Sequence, residues 1–336
     1  EKNVLHYFVD TNSSRGFVSF WESNFGKLEK VVKLDGYPDL LVTQLVEPGL
    51  RQALGCEQEV ELVHNCLDNS LQGIILPGQK TGLLNLPAYG DESYSLRLAE
   101  DENLSKARER VQRAYGCFGQ ALKIHDDWER IFISSMDFEA MDELAEETAE
   151  KLFGGQKTDH AGSCADRFFG AATVNGSYDY IPNITQEIPK RYFLKGRPGT
   201  GKSTFLKMLA RAAQAGDIGQ RLTTAPLTPN SLDMIAVREL GLCVFDSSAH
   251  EYFPDRDSDE IIDIYKAAVQ PGTDEKYEKE IAGYSAGYKA KVREATGYLG
   301  EAKLAYHQYQ KSVLESVNPD RRIGSMDWII GKLFGR

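Results

Sequence analysis

The sequence predicts an α/β protein built from two copies of one domain, each a mainly parallel sheet flanked by helices and followed by amphipathic helices. Three observations carry this. The chain has 336 residues, and at roughly 100 to 200 residues per domain that length calls for two domains rather than one core. Residues match along the chain at a nearly constant offset, the trace a duplicated domain leaves. An apolar run, a glycine-rich loop and a helical period then follow one another within the second half.

The duplication is read first. Phe8 pairs with Phe168, Gly16 with Gly176, and Leu34-Asp35-Gly36-Tyr37-Pro38 with Leu194-Lys195-Gly196-Arg197-Pro198, all at an offset of 160. Thr43 falls opposite Ser203. Ser70-Leu71, Ile74, Asn85 and Ala88 match Ser231-Leu232, Ile235, Asp246 and Ala249 at 161. Lys151-Leu152-Phe153-Gly154 matches Lys332-Leu333-Phe334-Gly335 at 181, so the second half carries about twenty extra residues before that point. The matches are collinear. They place a first domain at 1–155, a polar linker at 156–163 and a second domain at 164–336, the seam being rich in glycine.

Within the second copy, Arg191-Tyr192-Phe193-Leu194 has the composition of a buried strand. The helical spacing of Phe205, Leu206, Leu209 and Ala213 follows the loop. Between them, Gly196-Arg197-Pro198-Gly199-Thr200-Gly201-Lys202-Ser203, continued by Thr204, fits the GxxxxGK[ST] pattern of a P-loop. Strand, loop and helix stand in the order that motif requires. Glycines let successive N–H groups point inward, and the helix amino terminus adds partial positive charge, so a triphosphate fits the cradle. Lys202 is expected at the β and γ phosphates, and Ser203 at Mg²⁺.

The partner carboxylate is expected at the end of a later buried strand, and Gly241-Leu242-Cys243-Val244-Phe245-Asp246 has that shape. Asp246 is therefore the second metal-side candidate. The next residues are Ser247, Ser248 and Ala249 rather than the Glu that polarises water in many P-loop ATPases, which predicts slow hydrolysis. His250 and Glu251 are the nearest groups able to act as base or to sense the γ phosphate. Arg256 is a candidate for charge on the transferring phosphoryl group, with a surface salt bridge as its alternative. No NKxD signature occurs, so ATP is expected over GTP.

The first copy reads Gly36-Tyr37-Pro38-Asp39-Leu40-Leu41-Val42-Thr43. Asp39, Leu41 and Val42 replace Gly199, Gly201 and Lys202, and Asp35 replaces Lys195. At 4 Å and an effective dielectric of about 20, each like charge facing a phosphate costs about 4 kcal/mol. Asn85 in place of Asp246 removes the metal ligand as well. A degenerate site is expected here, kept as scaffold, partner surface or regulatory element.

Each copy ends in a charged helical region, roughly 103–153 and 273–334. Tyr277, Ile281, Tyr284, Tyr288, Val292, Ala295, Leu299, Ala302, Tyr306, Tyr309, Val313 and Val317 follow a three-four spacing, predicting long amphipathic helices that pack on the nucleotide domain or on its duplicate. Gly283, Gly287, Gly297 and Gly300 oppose this at about 1 kcal/mol each. Lys plus Arg (39) against Asp plus Glu (50) gives −11. With Lys and Glu alternating and no basic block, a nucleic-acid partner is not expected. No apolar run reaches the roughly 18 residues of a membrane span. Cys56, Cys66, Cys117, Cys164 and Cys243 include no CxxC pair, so reduced thiols in a cytoplasmic protein are expected. Self-association or a protein partner through the helices remains open.

The residues Phe169-Gly170-Ala171-Ala172-Thr173 with Gly176, Leu194 through Thr204, Asn230-Ser231-Leu232-Asp233 and Phe245-Asp246-Ser247-Ser248-Ala249-His250-Glu251 resemble a bacterial family of soluble tandem P-loop proteins. Its members are described only as ATPases or ATP-binding proteins of unassigned role. The resemblance covers nearly the whole chain and implies duplicated P-loop NTPase domains with ATP and Mg²⁺ as ligands. In that family both copies can carry a P-loop, from which Asp39 to Val42 depart. Three functions follow as expectations: a slow Mg-dependent ATPase with one active site, a small-molecule or nucleotide kinase, and a noncatalytic ATP-dependent interaction module.

Overall fold

A computed structural model describes residues 3–90, 101–156, 164–224, 227–248 and 252–334. The first half runs β1 (Val4–Phe8), β2 (Asp10–Ser13), β3 (Gly16–Ser19), α1 (Trp21–Phe25), β4 (Lys30–Asp35), α2 (Asp39–Gly55), β5 (Val60–His64), β6 (Leu71–Leu76), β7 (Thr81–Leu86), α3 (Glu102–Ile133), α4 (Phe138–Phe153). The second half repeats that order with β8 (Cys164–Phe168), β9 (Gly170–Thr173), β10 (Gly176–Asp179), α5 (Ile181–Thr185), β11 (Lys190–Lys195), α6 (Lys202–Ala215), β12 (Gln220–Thr224), β13 (Leu232–Val237), β14 (Leu242–Asp246). It then inserts β15 (Glu260–Asp263), α7 (Ile264–Ala268) and α8 (Thr273–Lys276) before α9 (Glu278–Ser316) and α10 (Pro319–Phe334). The insertion and the greater length of α9 together account for the extra residues of the second half. Nearly all of the expected linker, 157–163, lies outside the described residues.

By contact the chain divides into two units that interleave in sequence. One holds Glu1–Cys117, Phe168–Ile184 and Arg293–Arg336; the other holds Phe118–Arg167 and Thr185–Val292. In the first unit the strands run β1-β5-β6-β7-β4, with β1 parallel to β5 and β4 parallel to β7, while β6 is antiparallel to both neighbours. The second unit repeats this as β8-β12-β13-β14-β11, with the inserted β15 added beyond β11; β11 is parallel to β14 and β15, and β13 is antiparallel to its neighbours. The sheets are thus mixed, not mainly parallel. The links around β6 and β13 are short, and their described residues hold no α-helix able to carry a parallel crossover, so those strands reverse.

In the first unit α2 places Val42, Leu45, Val46 and Ala53 against Val4, Leu62, Ile74 and Leu83 of the sheet. Alternate strand residues Tyr7, Val63, Ile75 and Leu84 turn to the other face and meet Phe25, as the two-residue strand period requires. Ile329, Leu333 and Phe334 of α10 complete the α2 layer. In the second unit α6 buries Phe205, Leu206, Leu209 and Ala213 against Leu194, Ile235 and Val244, and Met141, Ala145, Leu152 and Phe153 of α4 close that core. The last helix of each half therefore packs on the strands of the other half. This decides between the two packings left open by the helical spacing.

The described part of α9 runs unbroken through all four of its glycines. Its tyrosine stripe is packing: Tyr306 lies edge-on to Tyr89 at 5.1 Å, and its hydroxyl accepts from the Ala88 N–H. No described helix is long and apolar enough to cross a membrane.

Candidate functional site

The strongest candidate lies in the second unit, where β11 delivers the loop 196–201 and α6 leaves it. Gly199 and Gly201 have φ of 80° and 78°, left-handed values that glycine alone adopts cheaply. Gly201 caps α6, so the free N–H groups of that helix open toward the loop. Thr200 is buried, and its hydroxyl donates to the Arg197 carbonyl at 2.8 Å, closing the loop on itself.

Two side chains singled out from sequence meet here. Register sets Leu194 of β11 beside Asp246 of β14. Lys202 Nζ, at the first residue of α6, lies 3.6 Å from Asp246 Oδ2 and donates to the Arg197 carbonyl at 3.0 Å. Both side chains are largely buried. At ordinary protein dielectrics such a pair holds a charged amine in place at the loop. Ser203 Oγ accepts from the Leu232 N–H at 2.8 Å, which fixes the hydroxyl. A hydroxyl and a carboxylate are hard oxygen donors of the kind Mg²⁺ takes, so Ser203 and Asp246 fit that ion.

Ser247 and Ser248, which stand in the sequence where many P-loop ATPases have a Glu, tie the strands together. Ser247 is buried, and its N–H and hydroxyl both reach the Leu194 carbonyl at 3.1 Å. Ser248 N–H donates to Asp246 Oδ1 at 2.9 Å, and Gly196 N–H donates to Ser248 Oγ at 3.1 Å. Lys195 is turned aside: Nζ donates to the Tyr252 carbonyl and sits 4.5 Å from the Phe253 ring centroid. Arg197 pairs with Asp274 at 2.9 Å and lies over Tyr265. An open cleft of about 400 Å³ adjoins it, lined by Trp128, Arg197, Asp274, Glu278 and Ile281.

His250 and Glu251 lie outside the described residues. Arg256 is brought elsewhere. Its guanidinium donates to the carbonyls of Gln186 and Ile188 at 3.0 Å each. Those carbonyls precede β11, whereas the glycine loop follows its far end, five rises of about 3.3 Å away. Arg256 holds the strand's entry together with the buried Arg191, which keeps the Asp259 carboxyl near 2 by a charge-assisted hydrogen bond. It is neither at the loop nor in a simple surface salt bridge.

Sequence reasoning missed the helix that covers the loop. A Cβ at Gly199 would stand 2.4 Å from the Glu129 carbonyl oxygen and 2.8 Å from its Cα, so the glycine is required by close approach as well as by φ. One turn earlier on α3, His125 Nδ1 lies 3.5 Å from Glu129 Oε1. Burial, with the Lys202 charge nearby, pulls the His125 imidazole below its ordinary range, and Glu129 partly opposes this. The only trace in the sequence was a His and a Glu spaced i, i+4, about seventy residues from the loop that α3 touches.

The corresponding place in the first unit is filled by the protein itself. Asn85 is buried, its Oδ1 accepts from the Tyr37 N–H at 3.0 Å and its Nδ2 donates to the Tyr37 carbonyl at 2.9 Å. Asp39, first residue of α2, is pushed up to about 6, chiefly by burial, which outweighs the lowering effect of the Gln310 amide of α9. Lys303 of α9 pairs with Asp68 at 3.2 Å.

Comparison with protein-family models, with curated proteins and with solved structures gave no match in any of the three.

Proposed function

We propose that the chain is an ATP-binding member of the tandem P-loop proteins, a slow Mg-dependent ATPase with one nucleotide site in its second half and a pseudo-site in its duplicated first half. The observation that carries this reading is the meeting of Lys202 and Asp246, 3.6 Å apart at a loop whose glycines hold left-handed backbone. On arrival of ATP, Lys202 exchanges the Arg197 carbonyl for β and γ phosphate oxygens, and the N–H groups at the start of α6 take the remaining charge. Ser203 and Asp246 would hold Mg²⁺, which when bound neutralises charge on the β and γ oxygens. Asp39 and the Asn85–Tyr37 bridge favour silence of the first copy. Calorimetry tests the reading: Mg-ATP binds the wild type with a stoichiometry near one, and Lys202→Ala loses the affinity. Undiminished binding by the mutant, or a stoichiometry near two, overturns it.

The cleft beside Arg197 favours a second reading, a kinase with a small-molecule or nucleotide acceptor. Consumption of γ phosphate only with an added acceptor selects it, whereas steady turnover without one selects the ATPase. Tight binding with no turnover in either assay selects an ATP-dependent interaction module.

A further inference from the structure

A hydrolase needs a group that takes the proton of the attacking water, and nothing in the loop or at the end of β14 supplies one among the described residues. Ser247 and Ser248 follow Asp246, and their hydroxyls are spent on the Leu194 carbonyl and the Gly196 N–H. The elements facing the crest of the loop therefore have to be searched. One of them, α3, touches it directly, since the Glu129 backbone excludes a Cβ at Gly199. That contact sets the register of α3 on the loop and fixes which of its side chains are at hand.

They form a compact group. Donor atoms of His125, Asp126 and Glu129 lie within 4.8 Å of one another, with Asp126 exposed and the other two partly covered. The groups around His125 are Glu129 and Asp126 on its own helix, Lys202 on α6, and the Trp128 and Tyr288 rings, Tyr288 from α9. Glu129 at 3.5 Å from Nδ1 favours the tautomer with the proton on Nδ1, which leaves Nε2 as an acceptor. A carboxylate orienting an imidazole is a common arrangement where histidine serves as a general base.

We propose that the His125–Glu129 pair of α3 is the general base of the P-loop in the second half, His125 accepting the proton and Glu129 positioning the ring. The inference rests on the ATPase reading given above. In the step, the water oxygen forms a bond to the γ phosphorus as the bond from that phosphorus to the β,γ bridging oxygen breaks. The electron pair leaves with ADP, and the water proton passes to His125 Nε2. Because α3 belongs to the first half in sequence, the half without a phosphate site supplies the base to the half that has one.

The test uses the full chain with Mg-ATP, comparing wild type, His125→Gln and Glu129→Gln by calorimetry, single-turnover hydrolysis and thermal melting. Mg-ATP affinity and melting midpoint stay near wild type. His125→Gln lowers the single-turnover rate about 10²-fold, and Glu129→Gln lowers it less while moving the acid limb of the pH–rate profile. Wild-type rates in His125→Gln, with Mg-ATP still bound, overturn this inference and leave the ATPase reading standing. An unmoved pH profile in Glu129→Gln assigns that residue a purely packing role and overturns its half of the proposal. A wild type that binds no Mg-ATP overturns both readings together.

Discussion

Replacing Asn85 by Asp puts there the residue type that stands at the matching position of the second half, Asp246, and the structure predicts damage. The Asn85 amide is bracketed by the backbone of one residue, accepting from the Tyr37 N–H at 3.0 Å and donating to the Tyr37 carbonyl at 2.9 Å. A carboxylate keeps the first bond and turns the second into two acceptors facing each other. The lost hydrogen bond costs about 1 kcal/mol, and leaving the buried carbonyl without a donor adds about 1 to 3 kcal/mol. Burial of the charge raises the new carboxyl's pKa, so the sum is about 2 to 4 kcal/mol when the group is ionised. The sign with pH follows: a carboxyl raised in the folded state supports stability below its unfolded pKa and loses that support as pH rises through the folded value. Once protonated, its O–H can donate to Tyr37. Urea unfolding of wild type and Asn85→Asp at pH 5 and pH 8 reads both effects, with the larger loss at pH 8. Calorimetry on the same variant still gives a single Mg-ATP site, because Val42 supplies no amine. Equal stability of the two proteins at pH 8, or a loss that ignores pH, refutes the account of Asn85 as the plug of the first loop.

Asp10 gives a second pH prediction. It is fully buried, and burial outweighs its hydrogen bonds from Ser19 and Gln72 to push its carboxyl up to about 6 from 3.8. Wild type should lose about 3 kcal/mol at this residue as pH rises from 4 to 7, and Asp10→Asn should flatten that slope in denaturation curves, leaving the part due to Asp39. At the α2–α10 contact, a Cβ at Gly49 would stand 2.3 Å from the Phe334 ring. Gly49→Ala should therefore destabilise by about 1 to 3 kcal/mol, despite gaining about 1 kcal/mol in helix propensity. Adding Phe334→Leu should recover most of the loss, and a stabilised single variant would show that α10 does not sit there.

What the sequence disclosed and what it hid divide along physical lines. Local patterns were legible: the apolar strand over 191–194, the helix from Lys202, the strand ending at Asp246 and the matched order of elements in the two halves all come from periodicity and turn chemistry. Partners that depend on folding were not. The apolar stripe of α4 (Met141, Ala145, Leu152) announces a buried face without saying whose strands bury it. Arg256 is a charge in a loop until the carbonyls of Gln186 and Ile188 are seen beside it. Asn85 read as the loss of a ligand, whereas an amide is what lets it bond both sides of Tyr37. The direction of β6 and β13 was hidden for a simpler reason, that strand pattern alone carries no orientation.

The exchange of terminal helices gives the first half a role in the core of the second. Met141, Ala145, Leu152 and Phe153 are buried in the core beneath the glycine loop. At about 1.5 to 3 kcal/mol for each large apolar side chain, their removal costs roughly 5 to 10 kcal/mol, comparable to the whole stability of an ordinary domain. A segment of residues 164–336 expressed alone should therefore not persist as a folded monomer. It should be unfolded, or it should dimerise with α10 of a second copy in place of α4, as the match of Lys332-Leu333-Phe334 to Lys151-Leu152-Phe153 allows. Adding a segment of residues 1–156 should restore a one-to-one complex with cooperative unfolding, measured by circular dichroism and analytical ultracentrifugation. A monomeric 164–336 that melts like the full chain would sink the argument, because α4 would then contribute nothing to the core. The same experiment separates two roles for the first half: Leu152→Ala within 1–156 should weaken reassembly, while on the proposed reading His125→Gln should leave reassembly intact and lower only the single-turnover rate.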